Sequence, residues 1–354
     1  MNKKPFFLRI SLNEKIIFVR NLSMLLKSGI SIVEALEILK NNTKSKTLIY
    51  ILNEAISDVQ RGQFLSNSLN KFKNVFGEFF VNIIRVGELT GKLPENLDKL
   101  ADELAQIGAL KRKIITTMIY PTFIITTMVV LVIFVLYFVF PKILPIFENL
   151  GVELPLTTKI FIKVSYFLIN NTTELIIFLI IFILSFFIAL RFPKSKFYID
   201  LFLLNLPLLS DVIKKYILAE FSRILSLLLG SGLKIVESIE IAGNALTNNV
   251  YKKILIDVSS NVLSGYPLNE SLEKFPKLFP YNFVKMIEIG ERTGNLEKNL
   301  RYLSQNFEED VDTFLERFIN ILEPLILVII AATIGFMAIS IILPIYELSE
   351  KIQP

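Results

Sequence analysis

Cysteine, histidine and tryptophan are absent from all 354 residues. Without cysteine there is no disulfide framework, thiolate nucleophile, iron-sulfur ligand set or thiol-rich zinc site. Without histidine the commonest general base and the commonest zinc ligand are missing as well, so a Ser-His-Asp hydrolase is excluded by composition alone. Charge is also scarce. Asp, Glu, Lys and Arg make up 20% of the chain, against about a quarter in an ordinary soluble protein. No Gly-x4-Gly-Lys-Ser/Thr sequence occurs, and the densest glycine element follows helix rather than strand, so a nucleotide-phosphate cradle has neither its motif nor its context. Apolar residues, in contrast, make up 53% of the chain and include 30 phenylalanines, which points to a bilayer as the solvent for part of it.

Three uncharged runs are candidates for spans. Ile114 to Phe140 has 27 residues, more than a hydrocarbon core of ~30 Å requires at ~1.5 Å rise per residue. Leu175 to Leu190 has 16, lengthened by Phe192 and by Arg191, which can snorkel to the interface. Pro324 to Tyr346 has 23, with Ala331, Ala332, Gly335, Ala338 and Ser340 as small residues that let another helix approach. The positive-inside rule orients them. Residues 1–113 carry 18 Lys and Arg against 11 acids, and 191–318 carry 16 of each, whereas 141–174 has three of each and 319–354 one against three. Both large segments are expected in the cytoplasm, with a short tail outside. The start of the chain is broken by Arg9 and too short in apolar residues for a signal peptide. The net charge of +5 sits where topology puts it and calls for no nucleic acid.

The chain contains a long-period repeat. A shift of 203 residues aligns Phe18–Leu104 with Phe221–Phe307 without a gap, and 36 of the 87 pairs are identical. Arg20 falls on Arg223, Gly62 on Gly265 and Phe76 on Phe279; the same shift carries Pro121 onto Pro324 and Pro141 onto Pro344. The unit of duplication is therefore a polar module plus the apolar helix after it. The middle run is the added crossing that returns the chain to the same side. Apolar spacings of three and four predict helices over 14–27, 32–40, 48–61, 65–71, 76–88 and 95–110, and no segment alternates with period two. The expected fold is all-α: a polytopic membrane protein with two homologous six-helix cytoplasmic bundles and three transmembrane helices. The expected boundaries are 1–113 for the first bundle, 114–140 for the first span, 141–174 for an extracytoplasmic loop and 175–192 for the second span. The second bundle follows over 193–318, then the third span over 319–346 and a tail over 347–354. Ser31 with Glu34 has capping-box spacing, Pro94 suits a first helical turn, and each bundle's last helix is expected to continue into its span.

Two elements recur in both copies. Ser28-Gly29 and Ser231-Gly232 read as helix stops. Gly87-Glu88-Leu89-Thr90-Gly91 recurs as Gly290-Glu291-Arg292-Thr293-Gly294. Gly91 and Gly294 fit a left-handed residue past a helix end, which could be the whole explanation. That reading leaves Gly87 and Gly290 unexplained, since a glycine inside a helix costs about 1 kcal/mol against alanine and points to close approach by another backbone. The functional alternative is an interface or hinge in which Glu88 and Glu291 receive a cation or backbone amides. Pro121 and the Glu323-Pro324 pair stand at the mouths of two spans as candidate kink or coupling positions. Glu308, Glu309, Asp310, Asp312 and Glu316 could gather a divalent cation, but a solvated helix face accounts for them without one.

On these residues the chain resembles the GspF/PilC family, the polytopic inner-membrane platform proteins of type II secretion systems and type IV pili. The resemblance covers nearly the whole chain: two homologous helical domains, each with its Ser-Gly stop and Gly-Glu-x-Thr-Gly element, three spans in order, and Leu206-Pro207-Leu208-Leu209-Ser210 before the second domain, where the family commonly has glycine at the Ser210 position. It implies a non-enzymatic scaffold of the bacterial cytoplasmic membrane, without a cofactor and with a cytoplasmic N-terminus. The partners it implies are a hexameric assembly ATPase, inner-membrane alignment proteins, pilin or pseudopilin subunits, and further copies of the chain. The competing class is a small oligomeric transporter or channel, against which stand the few spans and the scant charge in them, Glu323 beside the snorkelling Arg191.

Overall fold

The computed structural model describes residues 8–139, 141, 156–207 and 209–352. Among them the chain is all-helical. The first copy of the repeat forms α1 (Leu12–Lys27), α2 (Ile32–Asn42), α3 (Lys46–Gln60), α4 (Leu65–Asn70), α5 (Lys73–Phe76), α6 (Glu78–Thr90) and α7 (Leu93–Phe134). A single π turn, Val135–Val139, closes α7. Next come α8 (Leu156–Asn170), α9 (Thr172–Arg191) and α10 (Pro193–Leu203). The second copy forms α11 (Leu209–Gly230), α12 (Ile235–Ala245), α13 (Asn249–Leu263), α14 (Leu268–Glu273), α15 (Tyr281–Thr293) and α16 (Leu296–Ile352). The bounds of α4 and α14, and of α6 and α15, differ by the repeat length of 203 at both ends.

Local chemistry sets these boundaries. Ser11 accepts the amide of Glu14 at 3.2 Å while the Glu14 carboxylate takes the amide of Ser11 at 2.7 Å, a reciprocal box at the head of α1. At α2, Ser31 accepts the amide of Glu34 at 3.3 Å. The expected single helix over 76–88 is divided at Gly77, whose φ of +95° an L side chain rarely adopts. α5 therefore stops at Phe76, and in the second copy Pro280 stands at the equivalent place, immediately before α15. The expected loop 141–174 contains α8 in its described part, and residues 142–155 lie outside the described residues. Lys159 and Lys163 interrupt the apolar pattern of α8, which hid the helix in the sequence.

The chain divides into two compact units. One holds residues up to Arg112 together with Lys196–Asp312 and so contains the polar part of both copies. Its buried side chains form a single hydrophobic cluster that includes Phe18, Leu22, Ile51 and Phe80 of the first copy and Phe221, Leu225, Tyr251 and Phe283 of the second. Aromatic contacts repeat within it. Phe76 packs on Phe80 at 4.7 Å between ring centroids, and Phe279 on Phe283 at 5.8 Å. The copies are also tied together by polar contacts: Asn244 of α12 donates to the Glu78 carboxylate at 3.4 Å, and Lys99 of α7 lies 3.5 Å from the carbonyl oxygen of Gly230.

The other unit holds residues 113–195 and 313–354. Among the described residues two stretches, Leu93–Val139 and Leu296–Phe336, are long and apolar enough to cross a membrane, and a third crossing is counted if Ile162–Asn170 and Thr172–Phe182, which meet at 74°, act as one span. Within this unit Lys113 of α7 pairs with Glu316 of α16 at 3.7 Å. The π turn leaves the Leu136 carbonyl available to the hydroxyl of Ser165 on α8, 2.5 Å away. Pro121 is buried inside α7; Glu323 and Pro324 are exposed inside α16, and neither proline ends its helix.

Candidate functional site

The Gly-Glu-x-Thr-Gly elements form the corner at which α6 turns into α7 and α15 into α16. Gly91 is left-handed at φ +70° and Gly294 at φ +68°. The amide of Lys92 reaches back to the Gly87 carbonyl at 2.9 Å and that of Gly91 to the Glu88 carbonyl at 3.4 Å; Asn295 and Gly294 do the same to Gly290 and Glu291 at 2.9 and 3.4 Å. This is a Schellman closure, made twice. Thr90 and Thr293 each donate their hydroxyl to the carbonyl four residues earlier, at 2.7 and 2.8 Å.

The first glycine of each element is set by contact. A Cβ on Gly87 would lie 2.8 Å from the Cα of Leu93, and one on Gly290 would lie 2.9 Å from the Cα of Leu296. Only hydrogen allows the outgoing helix to start this close. The glutamates brace a third element. The Glu88 carboxylate accepts the amides of Leu65 at 2.6 Å and Ser66 at 3.0 Å, and the Glu291 carboxylate accepts those of Leu268 at 2.7 Å and Asn269 at 2.9 Å. Those four amides begin α4 and α14, where Phe64 and Pro267 provide no side-chain cap. Carboxylates at helix N-termini satisfy orphan donors and complement the helix dipole. Each element thus joins the start of one helix, the end of a second and the first turn of a third.

The Ser-Gly stops are built alike. Ser28 donates to Met24 at 3.0 Å and Ser231 to Leu227 at 2.8 Å, while Gly29 and Gly232 are left-handed at φ +80° and +98°. Just before them, Ser23 donates to the carbonyl of Pro94 at 2.7 Å and Ser226 to that of Glu297 at 2.9 Å, holding the first helix of each copy against the last.

A buried ionic cluster escaped the sequence reading. Arg223 on α11 is 4% exposed. It pairs with Glu103 of α7 at 3.6 Å, contacts Glu308 of α16 directly, and donates from Nε to Ser304 at 3.4 Å. Its counterpart Arg20 is exposed and pairs with Asp102 at 3.3 Å. Burial pushes the Glu103 carboxyl up despite Arg223, and pushes that of Glu220, one helical turn before Arg223, up to about 7. Desolvation also lowers the Arg223 guanidinium, which stays charged because its ordinary value is so high. The sequence held one signal: Glu220 and Arg223 stand at helical spacing among Ala219, Phe221, Ile224 and Leu225, in an apolar stretch of the helix. In the acidic run that follows, Asp310 pairs with Lys215 at 3.1 Å and Glu316 with Lys113.

A duplicated helical module followed each time by a membrane-length helix defines a class: polytopic membrane proteins built by tandem duplication. The family model described as Type II secretion system, protein F matches residues 18–141 and 221–344, two matches offset by the same 203 residues. The chain belongs to this family. It is 32% identical over 341 residues to the type IV pilus assembly protein PilC of Thermus thermophilus, covering 95% of this chain and 83% of that one. It is 29% identical over 350 residues to the type II secretion system protein F of Aeromonas hydrophila, covering 97% and 88%, and 28% identical over 340 residues to the type IV pilus assembly protein TapC of the same organism, covering 94% and 81%. Its membrane-length helices and its family make it an inner-membrane protein.

Proposed function

We propose that this protein is the inner-membrane platform of a type IV pilus or type II secretion machine, a non-enzymatic scaffold that couples a cytoplasmic hexameric assembly ATPase to the assembly of pilin or pseudopilin subunits. One observation carries the reading: in each copy a single helix, α7 or α16, begins at the braced Gly-Glu-x-Thr-Gly corner and continues without a break into a membrane-length apolar stretch. A push or rotation received by the polar modules would then act on rods, which store little of it in bending. The two modules face the cytoplasm as homologous helical bundles, α9 serves as the middle of three spans with α8 in the extracytoplasmic segment before it, and the C-terminal tail lies outside. Pro121, Glu323 and Pro324 stand where the two rods enter the bilayer. The Gly87–Gly91 and Gly290–Gly294 corners are the hinges about which the rods are held. Alignment proteins and further copies of the chain complete the assembly.

Deleting the gene in its host and restoring it from a plasmid tests this. Surface filaments seen by electron microscopy, or the secreted proteome, should be lost and regained; if both persist in the deletion strain, the reading is wrong. Topology is tested separately, and the absence of native cysteine makes that test clean. With Asn170→Cys and Ser260→Cys made singly, an impermeant maleimide applied to intact spheroplasts should label the first and reach the second only after lysis. Labelling of both from one side overturns the three-span arrangement.

A further inference from the structure

The second copy differs from the first where three lysines gather. A groove of about 550 Å³ lies within the unit that holds both polar modules, lined by Leu201, Leu204 and Asn205 of α10 and its C-terminal end, Val250 and Ile254 of α13, and Phe275, Pro276 and Leu278 of the turn after α14. Lys214, Lys274 and Lys277 also line it, and no carboxylate does. None of the three makes an ion pair among the described residues; Lys274 rests on the Tyr266 ring at 5.3 Å. In the first copy the residue matching Lys274 is Lys71, which Asp58 neutralises at 2.6 Å, and Lys71 in turn holds the buried Asp58 carboxyl down at about 2. Asn261 replaces that aspartate in the second copy. Lys214 replaces the helix-capping Ser11, and Lys277 replaces Asn74. The positive charge of the groove thus belongs to one copy only.

That copy is also the one joined to α9. Only Phe192 separates the end of α9 from α10, so Leu201 lies ten residues past Arg191, at most ~15 Å along a helix. Tyr198 and Phe202 on α10 are exposed at 71% and 64%, amphipathic and apolar rings of the kind that settle at a membrane interface. We infer that this groove seats one anionic phospholipid of the adjoining leaflet, its phosphate among Lys214, Lys274 and Lys277 and the start of its acyl chains on Leu201, Ile254 and Phe275. An acidic peptide would match the charge equally, but covalent continuity with α9 favours the lipid. The inference rests on α9 being a span, which the cysteine labelling tests independently of lipid binding.

The test uses the full chain purified in a neutral detergent, with native mass spectrometry counting the lipid retained. Phosphatidylglycerol should be held at least tenfold better than phosphatidylcholine with the same acyl chains, and inorganic phosphate at the same concentration should not displace it. At about fivefold per lysine near an anionic headgroup, Lys214→Gln, Lys274→Gln and Lys277→Gln together should weaken retention about a hundredfold. Lys46→Gln, Lys92→Gln and Lys298→Gln should leave it unchanged, with far-UV circular dichroism showing that both triple variants remain folded. Leu201→Ser should weaken phosphatidylglycerol severalfold if acyl chain is seated. Equal retention of the two lipids, displacement by inorganic phosphate, displacement by a poly-glutamate peptide in preference to lipid, or an unaffected triple groove variant would each overturn the inference.

Discussion

Replacing Glu88 by alanine removes both acceptors from the start of α4. The amides of Leu65 and Ser66 are part-buried, and the residue before them offers no cap. A lost helix cap costs about 0.5–2 kcal/mol, and a hydrogen bond to a charged group is worth about 1.5–3 kcal/mol. Two amides on one carboxylate therefore put Glu88→Ala at about 3 kcal/mol. Glu88→Gln keeps one acceptor oxygen and loses the charge, so it should cost about half as much. With a melting shift of about 2–4 °C per kcal/mol for a unit of this size, the alanine variant should melt roughly 6–12 °C lower. Glu291→Ala should match it, because its distances repeat within 0.1 Å. The double variant should show the sum within ~0.5 kcal/mol, since the two braces share no partner. The assay is thermal melting of the detergent-solubilised protein followed at 222 nm, which suits an all-helical chain without tryptophan. If Glu88→Ala melts within a degree of the parent, the carboxylate does not brace α4 and the corner has another purpose.

Gly87→Ala and Gly290→Ala should each destabilise by about 2 kcal/mol although alanine is the better helix former by about 1 kcal/mol, because the new methyl meets backbone rather than a movable side chain; the same melting assay reads this, and a gain in stability refutes the contact. Glu220 should make stability fall as pH rises. Its folded carboxyl holds a proton up to about 7, whereas the unfolded chain releases it near the ordinary value of 4.5, so folding binds a proton in that window and stability drops by ~1.4 kcal/mol per pH unit across it. Glu220→Gln should accordingly stabilise the protein by up to about 3 kcal/mol at pH 8 and far less at pH 5, and melting profiles parallel to the parent's at both values would refute the burial argument.

The features read best from the sequence are those fixed by neighbours along the chain. Helices with apolar residues at spacings of three and four, the left-handed glycines 29, 91, 232 and 294, and the close approach implied by Gly87 and Gly290 all follow from local geometry. The duplication strengthened each of them, because the same residue type recurring after 203 positions reports the same local constraint. The division at Gly77 was lost because one positive φ inside an otherwise helical pattern has no periodic signature. Helix α8 was lost because two lysines broke its apolar run. The targets of Glu88 and Glu291 lie 22 and 23 residues earlier, and Glu103, the partner of Arg223 in the other copy, lies 120 positions away. Contacts of that range belong to packing, and no spacing rule announces them.

The buried pairing of Arg223 with Glu103 also gives the two copies an order. An interface between identical modules would use each contact twice, so Arg20 would meet the residue that matches Glu103 in the second copy. That residue is Asn306, and Arg20 lies instead at the surface beside Asp102. Glu220 and Glu308 likewise replace Ile17 and Ala105. The polar lock between the copies is therefore one-directional. A chain carrying the two copies in the reverse order would keep its apolar repeat, yet the join between them would change, so the sequence records which module came to stand first.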